Sequence, residues 1–169
     1  IDWALNRFEQ NGLEKVVLAR RADLEFDDPI EPLLLLRQLI ASTPNCFHYH
    51  FEGSDSSAFV GATPERLFSR NGLLIESEAV AGTQPRGATA IVDEQYRSSL
   101  LTSEKELREH AYVRDFIRGI LDPLCESVSI DHEASEMRLT RGRHLVSRIT
   151  GVLRSGISDM KLLDVLHPT

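Results

Sequence analysis

Leu67-Phe-Ser-Arg70-Asn71-Gly72-Leu73-Leu-Ile-Glu-Ser-Glu-Ala-Val-Ala81 is the stretch on which the fold turns. Leu67–Arg70 and Leu73–Ala81 are rich in apolar and β-branched residues. Between them stands Asn71-Gly72, the pair that a tight two-residue hairpin turn favours because both residues accept positive φ. The segment therefore reads as two antiparallel strands, the second of them long.

Upstream of the hairpin, Ile1 to Phe8 reads as an amphipathic helix through Trp3, Leu5 and Phe8. Lys15-Val-Val-Leu-Ala-Arg20, continuing toward Leu24 and Phe26, reads as a strand. Asp27-Asp-Pro29 breaks it, and 32–43 reads as a helix with Pro32 at its start and Pro44 just past its end. The alternation in 46–51 and the segments 57–61 and 67–70 suggest further strands. Downstream, Gly82 to Ala90 reads as a Gly/Pro/Thr loop, followed by helices over about 92–102 and 103–127. Strands near 137–140 and 144–153 and a short helix at 158–166 complete the chain. Strands and helices mix without repeats, which predicts an α+β fold.

The bulk properties are those of an ordinary folded protein. Of 169 residues, 41% are hydrophobic and 27% charged, with 26 acids against 19 bases and a formal net charge of −7. That balance predicts no nucleic-acid partner and no anionic membrane, since both require a basic footprint. No apolar run approaches the roughly 20 residues needed to span a bilayer. Cys46 and Cys125 lie far apart in no metal or redox spacing and read as reduced thiols of a cytoplasmic protein. His48 and His50 share a strand face but lack a third zinc ligand. The length suggests one domain, and the chain opens inside a helix without a methionine and stops at Leu166-His167-Pro168-Thr169, so residues 1–169 read as part of a single domain truncated at both ends.

Three charged residues are oddly placed. Lys15 heads an apolar strand, where lost hydration would lower an amine's pKa and make it a usable general base; a strand-end lysine reaching to solvent is the bland alternative. Glu65, in Gly61-Ala-Thr-Pro-Glu65, has apolar neighbours that would keep a carboxyl protonated as a general acid; an acid at a helix start is the alternative. On the helix after Ser103, stepping back from the stripe Val113, Phe116, Ile117, Ile120, Leu124 reaches Glu109 and Glu106. Two carboxylates on a core face could serve Mg²⁺, a hard cation that takes one or two of them and keeps several waters. They could equally balance the helix dipole.

Taken together the motifs form an ordered set. Lys15-Val-Val-Leu-Ala-Arg20, Gly61-Ala-Thr-Pro-Glu65-Arg-Leu67, Ala79-Val-Ala-Gly-Thr83 with Pro85-Arg-Gly87, Ser103-Glu-Lys-Glu-Leu-Arg-Glu109-His110 and Leu166-His-Pro-Thr169 occur in the order found in chorismate-utilising enzymes. The chain resembles that family from about residue 13 onward, and within it the isochorismate synthases most. The resemblance implies a layered antiparallel sheet with outer helices, of which this chain holds a part. It implies Lys15 as general base, Glu65 as general acid, Glu109 as a Mg²⁺ ligand, Gly82 and Thr83 as substrate contacts, and His167 as a residue lining the chorismate pocket. Members that use ammonia to make anthranilate carry glutamine where Lys15 stands. Members that make aminodeoxychorismate carry a lysine where Ala81 stands. Lys15 with Ala81 therefore implies water as nucleophile, a combination that salicylate synthases share. The family's second acidic metal ligand and carboxylate clamp lie beyond the His-Pro-Thr motif, which predicts that these 169 residues alone are inactive and that their uncovered apolar faces self-associate.

Overall fold

A computed structural model of the chain describes residues 2–10, 16, 18–55 and 57–167. It divides into two units, Ile1–Ile30 and Glu31–Thr169. In the first, α1 spans Asp2–Glu9, with the Arg7 guanidinium 5.8 Å from the centre of the Trp3 ring. Residues 18–26 form no strand, contrary to the apolar pattern that suggested one. Four of those nine residues are charged, Arg20, Arg21, Asp23 and Glu25, and they interrupt the apolar side chains that a sheet would bury. Lys15, the head of the expected strand, lies outside the described residues.

The second unit starts with α2 (Pro32–Ser42), entered by Pro32 and ended by Thr43, whose N–H and hydroxyl both bond the Leu39 carbonyl at 2.8 and 2.6 Å. β1 (Phe47–Glu52) and β2 (Ala58–Thr63) pair antiparallel as a two-stranded sheet, with the Tyr49 and Phe59 ring centres 5.3 Å apart. The Asn71-Gly72 hairpin joins β3 (Ser69–Asn71) to β4 (Leu74–Pro85) as expected. Next come α3 (Ala90–Thr102), capped by Thr89, and α4 (Glu104–Leu121), capped by Ser103. β5 (Cys125–Ile130), β6 (Ser135–Arg138), β7 (Gly142–Leu153) and α5 (Asp159–Leu166) close the chain.

The larger sheet is antiparallel with order β3-β4-β7-β5, and β6 adds to the far part of β7. Its spine is the β4–β7 pair, from Leu74 opposite Val152 to Pro85 opposite Gly142. Alternation puts Ile75, Ser77, Ala79 and Ala81 of β4 and Arg143, Leu145, Ser147, Ile149 and Leu153 of β7 in the interior. Against the apolar end pack Ile117 and Leu121 of α4 and Leu162 and Leu166 of α5. Each such aliphatic side chain contributes roughly 1.5–3 kcal/mol on burial. Helices over one face of an antiparallel sheet make this an α+β fold, as the sequence predicts.

Three local expectations are corrected. The helix expected to reach residue 127 stops at Leu121, and Cys125–Ile130 is the edge strand β5, paired to β7. The segment expected as a loop from Gly82 is strand as far as Pro85. The buried stripe of α4 runs Glu106, His110, Ile117, Leu121, while Phe116 is 42% exposed. No helix among the described residues is long and apolar enough to cross a membrane. Both cysteines are free thiols.

Candidate active site

The polar end of the β4–β7 ladder is shaped by one extra residue. Pairing runs in step to Ala81 opposite Leu145, then skips Gly82 and resumes with Thr83 opposite His144. Gly82 is thus a bulge, with φ +77, which glycine adopts without strain. A Cβ there would stand 3.3 Å from three atoms of Glu106, so the close approach of α4 also selects glycine.

Directly after the bulge, Thr83 makes two polar contacts with different elements. Its N–H donates to Glu106 Oε2 at 3.0 Å, on the α4 side, and its Oγ1 lies 3.0 Å from His144 Nδ1. Glu106 is 6% exposed and its second oxygen accepts from Lys105 Nζ at 2.9 Å. Burial favours the neutral acid. The Lys105 ammonium and the Thr83 N–H outweigh it, so the carboxyl titrates below its ordinary value and stays ionised. One turn on, His110 is buried with Nε2 2.8 Å from Ser147 Oγ. Burial pushes its pKa down, the Arg114 charge adds to that, and the Ala81 carbonyl pulls the other way. His144 is likewise held down by burial. Both rings are therefore neutral near pH 7.

Of the residues singled out in the sequence, Gly82 and Thr83 stand together at this bulge. Glu109 is half-buried one turn beyond Glu106 on α4. Glu65 is half-buried in the turn between β2 and β3, its N–H bonding Thr63 Oγ1 at 3.3 Å, in a loop and not at a helix start. His167 follows α5 with an exposed side chain, next to Leu166 of the apolar cluster that includes Ile117. Ile117 lies eleven residues along α4 from Glu106, roughly 16 Å at 1.5 Å per residue, and no described contact joins His167 to the bulge. Lys15 lies outside the described residues.

His144 has no counterpart among the residues expected at the site. It shares a cleft with Thr43, Asn45, Cys46, Leu139 and Arg141. Its sequence neighbours place it only on a strand face. The partner Thr83 follows from the register after the bulge, which no sequence pattern announces.

No group of three or more His, Cys, Asp or Glu side chains among the described residues forms a ready metal centre. Glu106 and Glu109 offer a hard two-carboxylate donor set on successive turns, which fits Mg²⁺, a cation that takes few protein ligands and completes its shell with water or substrate oxygens.

The comparisons with known proteins agree with one another. A family profile described as chorismate binding enzyme matches residues 1–169. The chloroplastic isochorismate synthase of Catharanthus roseus is 39% identical over 99% of this chain and 30% of its own length. The isochorismate synthase DhbC of Bacillus subtilis is 33% identical over 100% of this chain and 44% of its own. A crystal structure of a putative 2,3-dihydroxybenzoate-specific isochorismate synthase, DhbC from Bacillus anthracis, superposes with a TM-score of 0.92 at 29% identity, over 99% of this chain and 46% of that one. The chain thus spans less than half the length of these relatives. With its profile match from end to end, a layered antiparallel fold in common and relatives above 30% identity, this chain belongs to the family of chorismate-binding enzymes and is most like the isochorismate synthases.

Proposed function

We propose that this chain supplies part of the catalytic domain of an isochorismate synthase, which adds water to the ring of chorismate with loss of the ring hydroxyl. The observation that carries this reading is the Gly82 bulge, which presents Thr83 between an ionised buried carboxylate and a neutral histidine. An acidic chain that binds an anion needs donors or a cation at the place of contact. Thr83 Oγ1 and the His144 ring supply polar groups at the bulge, and the α4 carboxylates beside it suit a cation.

In this reading Lys15 takes the proton from the attacking water and Glu65 gives one to the departing hydroxyl. The two act as a general base and a general acid. Glu109, with Glu106 beside it, would hold Mg²⁺. When bound, that ion supplies a positive charge for the substrate carboxylate. Glu106 also keeps the bulge in place through the Thr83 N–H. Gly82 lets chain and helix approach, and Thr83 orients the substrate. Lys15 with Ala81 favours water over ammonia as the nucleophile. The isolated 169-residue chain is proposed to lack activity.

The test is to incubate the full-length parent with chorismate and Mg²⁺ and separate the products by chromatography. Isochorismate is expected. Salicylate with pyruvate would move the chain to the salicylate synthases, and no product would overturn the reading. In the same assay Lys15→Ala should lower turnover more than tenfold, a barrier increase above about 1.4 kcal/mol. A smaller loss would remove Lys15 from the reaction.

A further inference from the structure

Beyond the bulge, the β4–β7 ladder ends in a network of charges that the proposed reaction does not use. Asp93, in the first turn of α3, accepts the Gly87 N–H at 2.8 Å. The Arg86 fork meets both of its oxygens, Nε to Oδ1 and Nη2 to Oδ2, each at 2.8 Å. Arg143 Nη2 donates to the same Oδ1. Arg143 is 1% exposed, and its Nη1 donates to Glu136 Oε1 at 2.8 Å, which places β6 on the network as well. Arg86 Nη1 adds a bond to the Leu139 carbonyl at 2.9 Å. One carboxylate thus joins α3, the turn after β4, and β7.

Two features argue that this arrangement is kept for position. Arg143 Nε meets no acceptor among the described residues, so the buried charge is imperfectly satisfied. A buried ion pair is often no more stabilising than apolar residues of the same volume. The fit around it is also close, since a Cβ on Gly87 would stand 2.2 Å from the Asp93 nitrogen. Arg143 is opposite Gln84 in the ladder, and the next pair is His144 opposite Thr83. Whatever fixes Arg143 and the 86–87 turn also fixes where Thr83 and His144 meet.

We propose that Asp93 is a positioning residue for the candidate site, holding Arg86, Gly87 and Arg143 together so that Thr83 and His144 stay in register. The inference rests on the reading of Thr83 as a substrate contact. The variant is Asp93→Asn in the full-length parent, with two measurements: amide hydrogen exchange by mass spectrometry, and the KM for chorismate in the presence of Mg²⁺. Exchange across residues 82–87 should quicken about tenfold while 74–79 stays unchanged, and KM should rise at least about fivefold; Asp93→Glu should partly restore both. Should Asp93→Asn fail to fold, Arg86→Lys keeps the charge and loses the fork, and about threefold changes in both readouts are expected. Unchanged exchange at 82–87 would overturn the proposal. Faster exchange with an unaltered KM would also overturn it, leaving the network a purely structural one. A parent that does not convert chorismate overturns the functional reading alone, and the exchange comparison still decides whether Asp93 holds the strand end.

Discussion

The two ends of the β4–β7 ladder are built from the same pair of strands and do opposite work. At one end Ile75, Ala79, Ile149 and Leu153 are buried against Ile117, Leu121, Leu162 and Leu166, a contact set by shape and by apolar area. At the other end the same interior face carries Ser147 and Arg143, and the neighbouring helices offer Glu106, His110 and Asp93. Apolar contacts are non-directional, so the first end tolerates small shifts. Hydrogen bonds and ion pairs are directional, and unmade ones are costly when buried, so the second end holds its atoms in defined places. The first end supplies stability and the second supplies geometry.

A core truncation gives the largest expected effect on stability. Ile149 is fully buried in the apolar cluster, and Ile149→Ala should cost about 3 kcal/mol, lowering the melting temperature by roughly 10 °C. At temperatures where the variant is folded, its KM for chorismate should match that of the parent. A raised KM would mean that the two ends are not separable.

Gly82→Ala should reverse that pattern. The residue would be forced to a positive φ at a cost of about 1–2 kcal/mol, and its Cβ would press on Glu106. Melting should fall less than in Ile149→Ala, whereas KM should rise several-fold because the Thr83 N–H loses its line to Glu106. Thermal melts and steady-state kinetics on the same two variants decide the matter, and equal KM values would break the comparison.

The smallest expected effect is a pH dependence confined to the polar end. His110 and His144 have pKa values held below the ordinary histidine value by burial. The unfolded chain therefore binds more protons than the folded one as pH falls below about 6.5, so their contribution to stability is present above that pH and is lost beneath it. Melting temperature should drop between pH 7.5 and 5.5. His110→Asn should flatten the slope, and Ile149→Ala should leave it unchanged. A slope that His110→Asn does not alter would remove that ring as its source.

Much of the apolar end was legible in the sequence. Asn71-Gly72 marks the hairpin, and the patterns over 144–153 and 158–166 match β7 and α5 to within a residue or two. The failures have physical causes. The helical pattern expected to reach residue 127 ends at Leu121, six residues earlier: Pro123 cannot continue the helix, and the apolar Leu124 and Cys125 that seem to extend its stripe lead into β5. Residues 82–85 looked like a loop because glycine, threonine and proline are turn residues, whereas pairing to β7 holds them extended as far as Pro85. The stripe of α4 was placed slightly off face because Phe116 is large and apolar, yet His110 and Glu106 are the residues that face the sheet.

For the site, the chain itself determined which chemical groups are available: the glycine that can take the bulge, the threonine after it, and two carboxylates three residues apart on one helix. Those follow from residue types at fixed spacings, because helix and strand periods convert spacing into direction. Only the tertiary structure decided the partners. Thr83 meets His144 across 61 positions of sequence, and Arg143 meets Asp93 across 50. Such pairs depend on the register between β4 and β7, and that register is shifted by a single residue at Gly82. A period of two fixes a side chain's face, whereas a bulge resets which residue stands opposite it, and that choice is made when the strands and helices pack.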